Sequence, residues 1–153
     1  MTEAAAFYNR NDIDRAYRSC CAALALKEDY PPALHLRGLC EWRRGDPALS
    51  AASIGRALEL HPGDARMLHD LGCVYSARGM WQAAAKTYLG AIALQPEHAA
   101  SHVNLGSVYE NLGERNAAER AYLRGLQLDS RSVVAAGNLA ALYEQDNRLE
   151  EAE

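Results

Sequence analysis

Leucine returns at a fixed interval along this chain, with Leu26, Leu60, Leu94 and Leu128 standing 34 residues apart. Small residues hold three further places in the same period. Gly38, Gly72, Gly106 and Ala140 form one series, Ala16, Ser50, Ala84, Ala118 and Ala152 a second, and Ala23, Ala57, Ala91 and Gly125 a third. Small side chains at fixed places let two antiparallel helices, and then the next pair, approach closely. Three residues after the first series come Glu41, Tyr75, Tyr109 and Tyr143. Seven after it come Gly45, Gly79, Gly113 and Asn147, with Asn11 one period earlier. Glycine and asparagine enter the left-handed backbone region at least cost, so these five mark the turns where a first helix stops. A period of this length predicts a stack of helical hairpins.

The expected helices span 2–10 and 12–26, 32–44 and 47–60, 65–78 and 81–94, 99–112 and 115–128, then 133–146 and a stub from 149. Local signals agree. Asp46-Pro47 puts a cap and then a proline at a helix start, and His61-Pro62-Gly63-Asp64 is a turn ending in a capping aspartate. The expected organisation is one domain over 1–153: a partial repeat 1–30, full repeats 31–64, 65–98 and 99–132, and a partial repeat 133–153. The last full helix carries Val133, Val134, Leu139, Leu142 and Tyr143 with no polar-faced capping helix after it. Solenoids usually end in such a cap, so the chain is expected to be part of a longer array, or else to self-associate through this C-terminal edge.

The third unit, DARMLHDLGCVYSARGMWQAAAKTYLGAIALQPE, carries Leu68, Leu71, Gly72, Tyr75, Ala84, Tyr88, Ala91 and Pro96 in the signature places of the tetratricopeptide repeat (TPR) family, which it resembles. The fourth, NLGSVYENLGERNAAERAYLRGLQLD, matches almost as well. Glu41 for the usual aromatic, His102 in a usually apolar place and Ser130 for proline are departures. The resemblance covers essentially the whole chain and implies an all-α fold, a right-handed superhelix of antiparallel helix pairs.

An apolar fraction of 49% fits a folded helical protein. The net charge of −4 argues against nucleic acid as a partner, because phosphate neutralisation requires a cationic stripe. No apolar run approaches the ~20 residues needed to cross a bilayer, so no membrane partner is expected. The opening MTEAAAFYNRND has no secretory character, and the expected compartment is the cytoplasm. Cys20, Cys21, Cys40 and Cys73 lack zinc spacing and read as reduced, packed thiols. His98 and His102 stand one helical turn apart, but no third ligand accompanies them, so neither metal nor cofactor is expected.

In the TPR arrangement the first helix of each pair lines a concave wall, which in this family commonly holds extended peptides or partner helices. The positions implied are Pro32, His35, Leu36, Leu39, Trp42 and Arg43 in the second repeat, and Arg66, His69, Asp70, Cys73, Ser76 and Ala77 in the third. The fourth supplies Ala100, Val103, Asn104, Ser107, Glu110 and Asn111, and the fifth Val134, Gly137, Asn138, Ala141, Glu144 and Gln145. Arg43, Arg66, His69, Asp70, Asn104, Ser107, Asn111 and Asn138 are the candidate peptide-binding residues. A primary amide both donates and accepts, so Asn104 and Asn138 suit the peptide groups of an extended ligand. This is similar to the asparagine ladder in the TPR arm of O-GlcNAc transferases. The plainer alternative is polar residues on a solvated wall. Trp42 beside Arg43 reads as an anchor on that wall. The carboxylate-clamp pattern matches in no register.

Neither a phosphate-cradling loop nor a nucleophile elbow is present, which points away from catalysis. The expected function is a protein-interaction scaffold. The alternatives are the substrate-recruiting arm of a larger enzyme, such as a glycosyltransferase, and an assembly module.

Overall fold

The computed structural model describes residues 2–150, with side chains through Glu144. Among the described residues every regular element is an α-helix. They form two compact units, Met1–Met80 and Trp81–Glu153.

The first unit contains α1 (Thr2–Asn9), α2 (Ile13–Leu26), α3 (Pro31–Arg43), α4 (Pro47–Leu60) and α5 (Ala65–Ala77). Aspartates start three of these helices. Asp12 accepts from the Arg15 amide at 3.3 Å, Asp46 from Leu49 at 3.0 Å and Asp64 from Met67 at 3.0 Å. Each satisfies one of the amides that a helix start leaves without a partner. The turn after α1 places Asn11 at φ 62°, and the turn after α3 places Gly45 at φ 84°. The chain reverses there because these residues tolerate the left-handed region.

Leu24, Leu34, Ile54, Met67, Leu71 and Val74 form the core of this unit, drawn from α2, α3, α4 and α5. A Cβ at Gly38 would stand 2.6 Å from Ile54 Cγ1 and 3.1 Å from the Ser50 carbonyl oxygen, so α3 and α4 close on each other only across a glycine. Trp42 is half-buried and packs against this core. Glu41, in the place that other repeats give to tyrosine, is 5% exposed. Its carboxylate accepts from Ser53 Oγ at 2.5 Å and lies 3.4 Å from Arg37 Nε, which itself donates to Ser53 at 3.2 Å. A polar triad thus bridges α3 and α4 where an aromatic ring would otherwise fill the space.

The second unit contains α6 (Trp81–Leu94), α7 (Ala99–Asn111), α8 (Arg115–Leu128) and α9 (Val133–Glu150). Its core gathers Val103, Ala118, Tyr122, Ala135, Leu139 and Leu142. The sequence predicts a stop near Asn147 and a new helix from 149, but α9 runs unbroken to Glu150. Asparagine at that turn place allows this, since it costs somewhat less in a helix than the glycines of the earlier turns. The second-helix place of Ala152 lies outside the described residues.

Candidate binding groove

The first unit carries a groove of about 720 Å³. Ala5 and Tyr8 of α1, Pro32, Leu36 and Leu39 of α3, and Met67 of α5 give it an apolar lining. Polar groups stand at His35, Asp64 and Arg66. Leu36, Leu39 and Arg66 are wall positions of the second and third repeats. The α1 residues Thr2, Ala5, Tyr8 and Asn9 were not among the sequence candidates, yet each stands one period before Leu36, Leu39, Trp42 or Arg43. Carrying the period back into the partial first repeat is the signal that finds them.

The polar groups of the groove are mostly committed. His35 is 5% exposed and its Nε2 meets Asp70 Oδ2 at 2.7 Å. An ionised carboxylate only accepts, so with Asp70 ionised the proton lies on Nε2 of His35. Asp64 is occupied in capping α5. Arg66 is exposed and makes no hydrogen bond or ion pair among the described residues. A free guanidinium beside apolar walls offers five donors in a fixed fork to a carboxylate or a peptide carbonyl.

Arg43 is engaged with α1 and the turn after it. Its Nη2 donates to Asn11 Oδ1 at 2.6 Å, and its guanidinium stands 5.8 Å from the centroid of the Tyr8 ring. Burial pushes the Tyr8 phenol above its ordinary range, and the Arg43 charge opposes that. His69 turns to its own helix, with Nε2 3.6 Å from Cys73 Sγ.

In the second unit, Asn104 and Asn138 are half-buried, while Ser107 and Asn111 are exposed. The Tyr122 hydroxyl donates to Glu110. Asn111 Nδ2 donates to the Ser107 carbonyl at 2.8 Å, within its own helix. His102, expected toward the core, sends Nε2 to the Pro96 carbonyl at 2.9 Å and pins the loop before α7.

Cys20 and Cys40 are buried, Cys21 and Cys73 half-buried, and all four are free thiols. No group of three or more histidine, cysteine, aspartate or glutamate residues that could hold a metal ion occurs among the described residues. No helix among them is long and apolar enough to cross a membrane.

Comparison with known proteins gives the same architecture. Residues 69–132 match the tetratricopeptide repeat family model. Among curated proteins, no sequence matches this chain. The crystal structure of MamA superposes with a TM-score of 0.89 at 24% identity, covering 99% of this chain and 89% of that one. YrrB, described as a TPR protein with an unusual peptide-binding site, superposes at 0.81 with 18% identity, covering 88% and 70%. The first TPR of Spaghetti (RPAP3), bound to the HSP90 peptide SRMEEVD, superposes at 0.73 with 16% identity, covering 75% and 91%. Residues 69–132 thus match the tetratricopeptide repeat family, and these structures share the helical fold of the whole chain.

Proposed function

We propose that this chain is a non-catalytic cytoplasmic scaffold that holds a protein segment, an extended peptide or a partner helix, in the groove of its first unit. The observation that carries the reading is the groove itself: about 720 Å³ of mainly apolar lining with one uncommitted cation, Arg66, at its edge. Pockets that bind ligands combine a concave apolar lining with a few placed polar groups. Two proteins of the same fold are described by their peptides or peptide sites. Arg43, His69 and Asp70 act here by shaping the surface of the first unit, Asp70 through its hold on His35, while Asn104, Ser107, Asn111 and Asn138 are candidate peptide contacts of the second unit.

The test is a pull-down from native extract with the wild-type chain beside Leu36→Glu and Arg66→Glu variants, with an Asn104→Ala/Asn138→Ala variant as a second arm. Circular dichroism checks that each stays helical. Partners lost with the groove variants, at unchanged helicity, support the reading. Partners that survive both groove substitutions overturn it.

A second reading, self-association through α9, is favoured by the exposure of Val133 and Val134 at 84% and 65%. Light scattering that finds a monomer at high concentration removes it.

A further inference from the structure

We propose that the second unit carries a separate peptide-docking cleft, which takes an apolar side chain flanked by a carboxylate from an acidic protein segment. The cleft, about 250 Å³, lies among α6, α7 and α8. Leu89, Ile92, Leu105 and Tyr109 supply its apolar lining, and Leu89 is 48% exposed, an apolar side chain left outside the core.

Charge selects the occupant. The ionic side chains lining the cleft are Arg120 and Arg124, and no carboxylate joins them, although the chain as a whole carries a net charge of −4. The two arginines are four residues apart on α8, hence on one face of that helix. Arg120 is exposed and makes no hydrogen bond or ion pair among the described residues. Arg124 spends one nitrogen on Gln127 at 3.2 Å. Of the acids nearby, Glu119 accepts from the Tyr143 hydroxyl at 2.6 Å and Glu97 lines the adjoining cleft, and neither forms an ion pair with the two arginines. Two guanidinium forks beside an apolar slot match a carboxylate next to a hydrophobic side chain.

Size narrows the choice further. At about 250 Å³ the cleft falls just below the roughly 300–1,000 Å³ of small-molecule sites, and it suits one or two side chains of a longer ligand. Arg124 also borders an adjoining cleft of about 570 Å³ beside the loop of Gln95, Pro96, Glu97 and His98, which gives the segment room to continue. Nucleic acid fits poorly, because two cations neutralise few phosphates and an apolar slot offers a backbone nothing.

The experiment pans a phage-displayed random 12-residue peptide library in parallel against the wild-type chain and an Arg120→Glu/Arg124→Glu variant, with circular dichroism on both. The expected result is a class of peptides pairing aspartate or glutamate with leucine or phenylalanine. These bind the wild-type chain and lose at least tenfold in affinity on the variant. The variant in turn selects peptides with lysine or arginine in the acidic places, which a misfolded protein would not do. Nuclear magnetic resonance of the labelled chain then shows the synthetic acidic peptide shifting the Leu105, Tyr109 and Arg120 amides. Wild-type peptides that ignore charge reversal, or that shift the groove of the first unit and leave α8 unmoved, overturn the proposal.

Discussion

His35 and Asp70 stand 35 residues apart and meet at 2.7 Å, joining α3 to α5 along the groove of the first unit. With a period of 34, the histidine's counterpart in the next repeat is His69, so the contact runs to the wall position beside it. The imidazole is almost wholly buried and the carboxylate half-buried. Asp70→Ala leaves the His35 N–H buried without an acceptor, which costs about 1–3 kcal/mol. Asp70→Asn keeps an acceptor oxygen and should cost less than half as much. Urea unfolding followed by helicity measures both; equal losses would show that hydrogen bonding to His35 contributes little.

Gly38 tests the packing rule behind the repeat. Alanine at this site meets the Ile54 side chain and the Ser50 backbone, and only the former can move. Overpacking of a well-filled core costs typically 1–3 kcal/mol, so Gly38→Ala should lower the urea midpoint accordingly. In Gly38→Ala/Ile54→Ala the Cγ1 that the new methyl meets is gone, so the combined loss should be smaller than the sum of the two single losses. Gly55, with nothing near its Cβ position, is the control, and its change to alanine within α4 should stabilise by about 0.5–1 kcal/mol.

The buried thiols give a chemical readout. Interaction with the Cys40 thiol, and then burial, push the Cys20 thiol far above its ordinary range. The same interaction displaces Cys40 downward. Both side chains are wholly enclosed, so the Cys40 shift should not translate into reactivity. A thiol reagent at neutral pH should modify Cys21 and Cys73 first, and Cys20 and Cys40 only as the first unit unfolds. Mass spectrometry of the labelled peptides decides it; early modification of Cys40 would show that α2 and α3 part readily.

Much of the fold was legible because it rests on backbone geometry. Gly38 marks a close approach and Gly45 a left-handed turn, and both requirements exclude most other residues. The groove was less legible. Leu36 and Arg66 followed from the period, but His61 and Asp64, which also border it, lie in the turn between repeats, where the wall rule has no position. Tyr122 illustrates another limit: its place in the repeat marks a core ring, while its hydroxyl donates to Glu110 on another helix. Side-chain pairing of that kind depends on which residues face each other across α7, α8 and α9, and a repeat pattern does not specify it. The continuation of α9 past Asn147 has a similar origin, since asparagine permits the turn without demanding it.

Tyr122 links that buried pairing to pH. Burial, and then its bond to Glu110, raise the phenol well above its ordinary value near 10. A group whose folded pKa is raised favours the protonated fold, so its contribution is complete below the unfolded value. It is lost as pH climbs from about 10 toward the folded value. The second unit should therefore lose stability progressively above about pH 10. In Tyr122→Phe the hydroxyl is gone, so the variant starts less stable at pH 8, by about 1–3 kcal/mol for a Glu110 carboxylate left without its donor. Its decline between pH 9 and 12 should be shallower than that of the wild type, because one titrating group has been removed. Urea midpoints across that range provide the comparison. Parallel curves for the two proteins would mean that the phenol ionises in the fold as readily as in the unfolded chain.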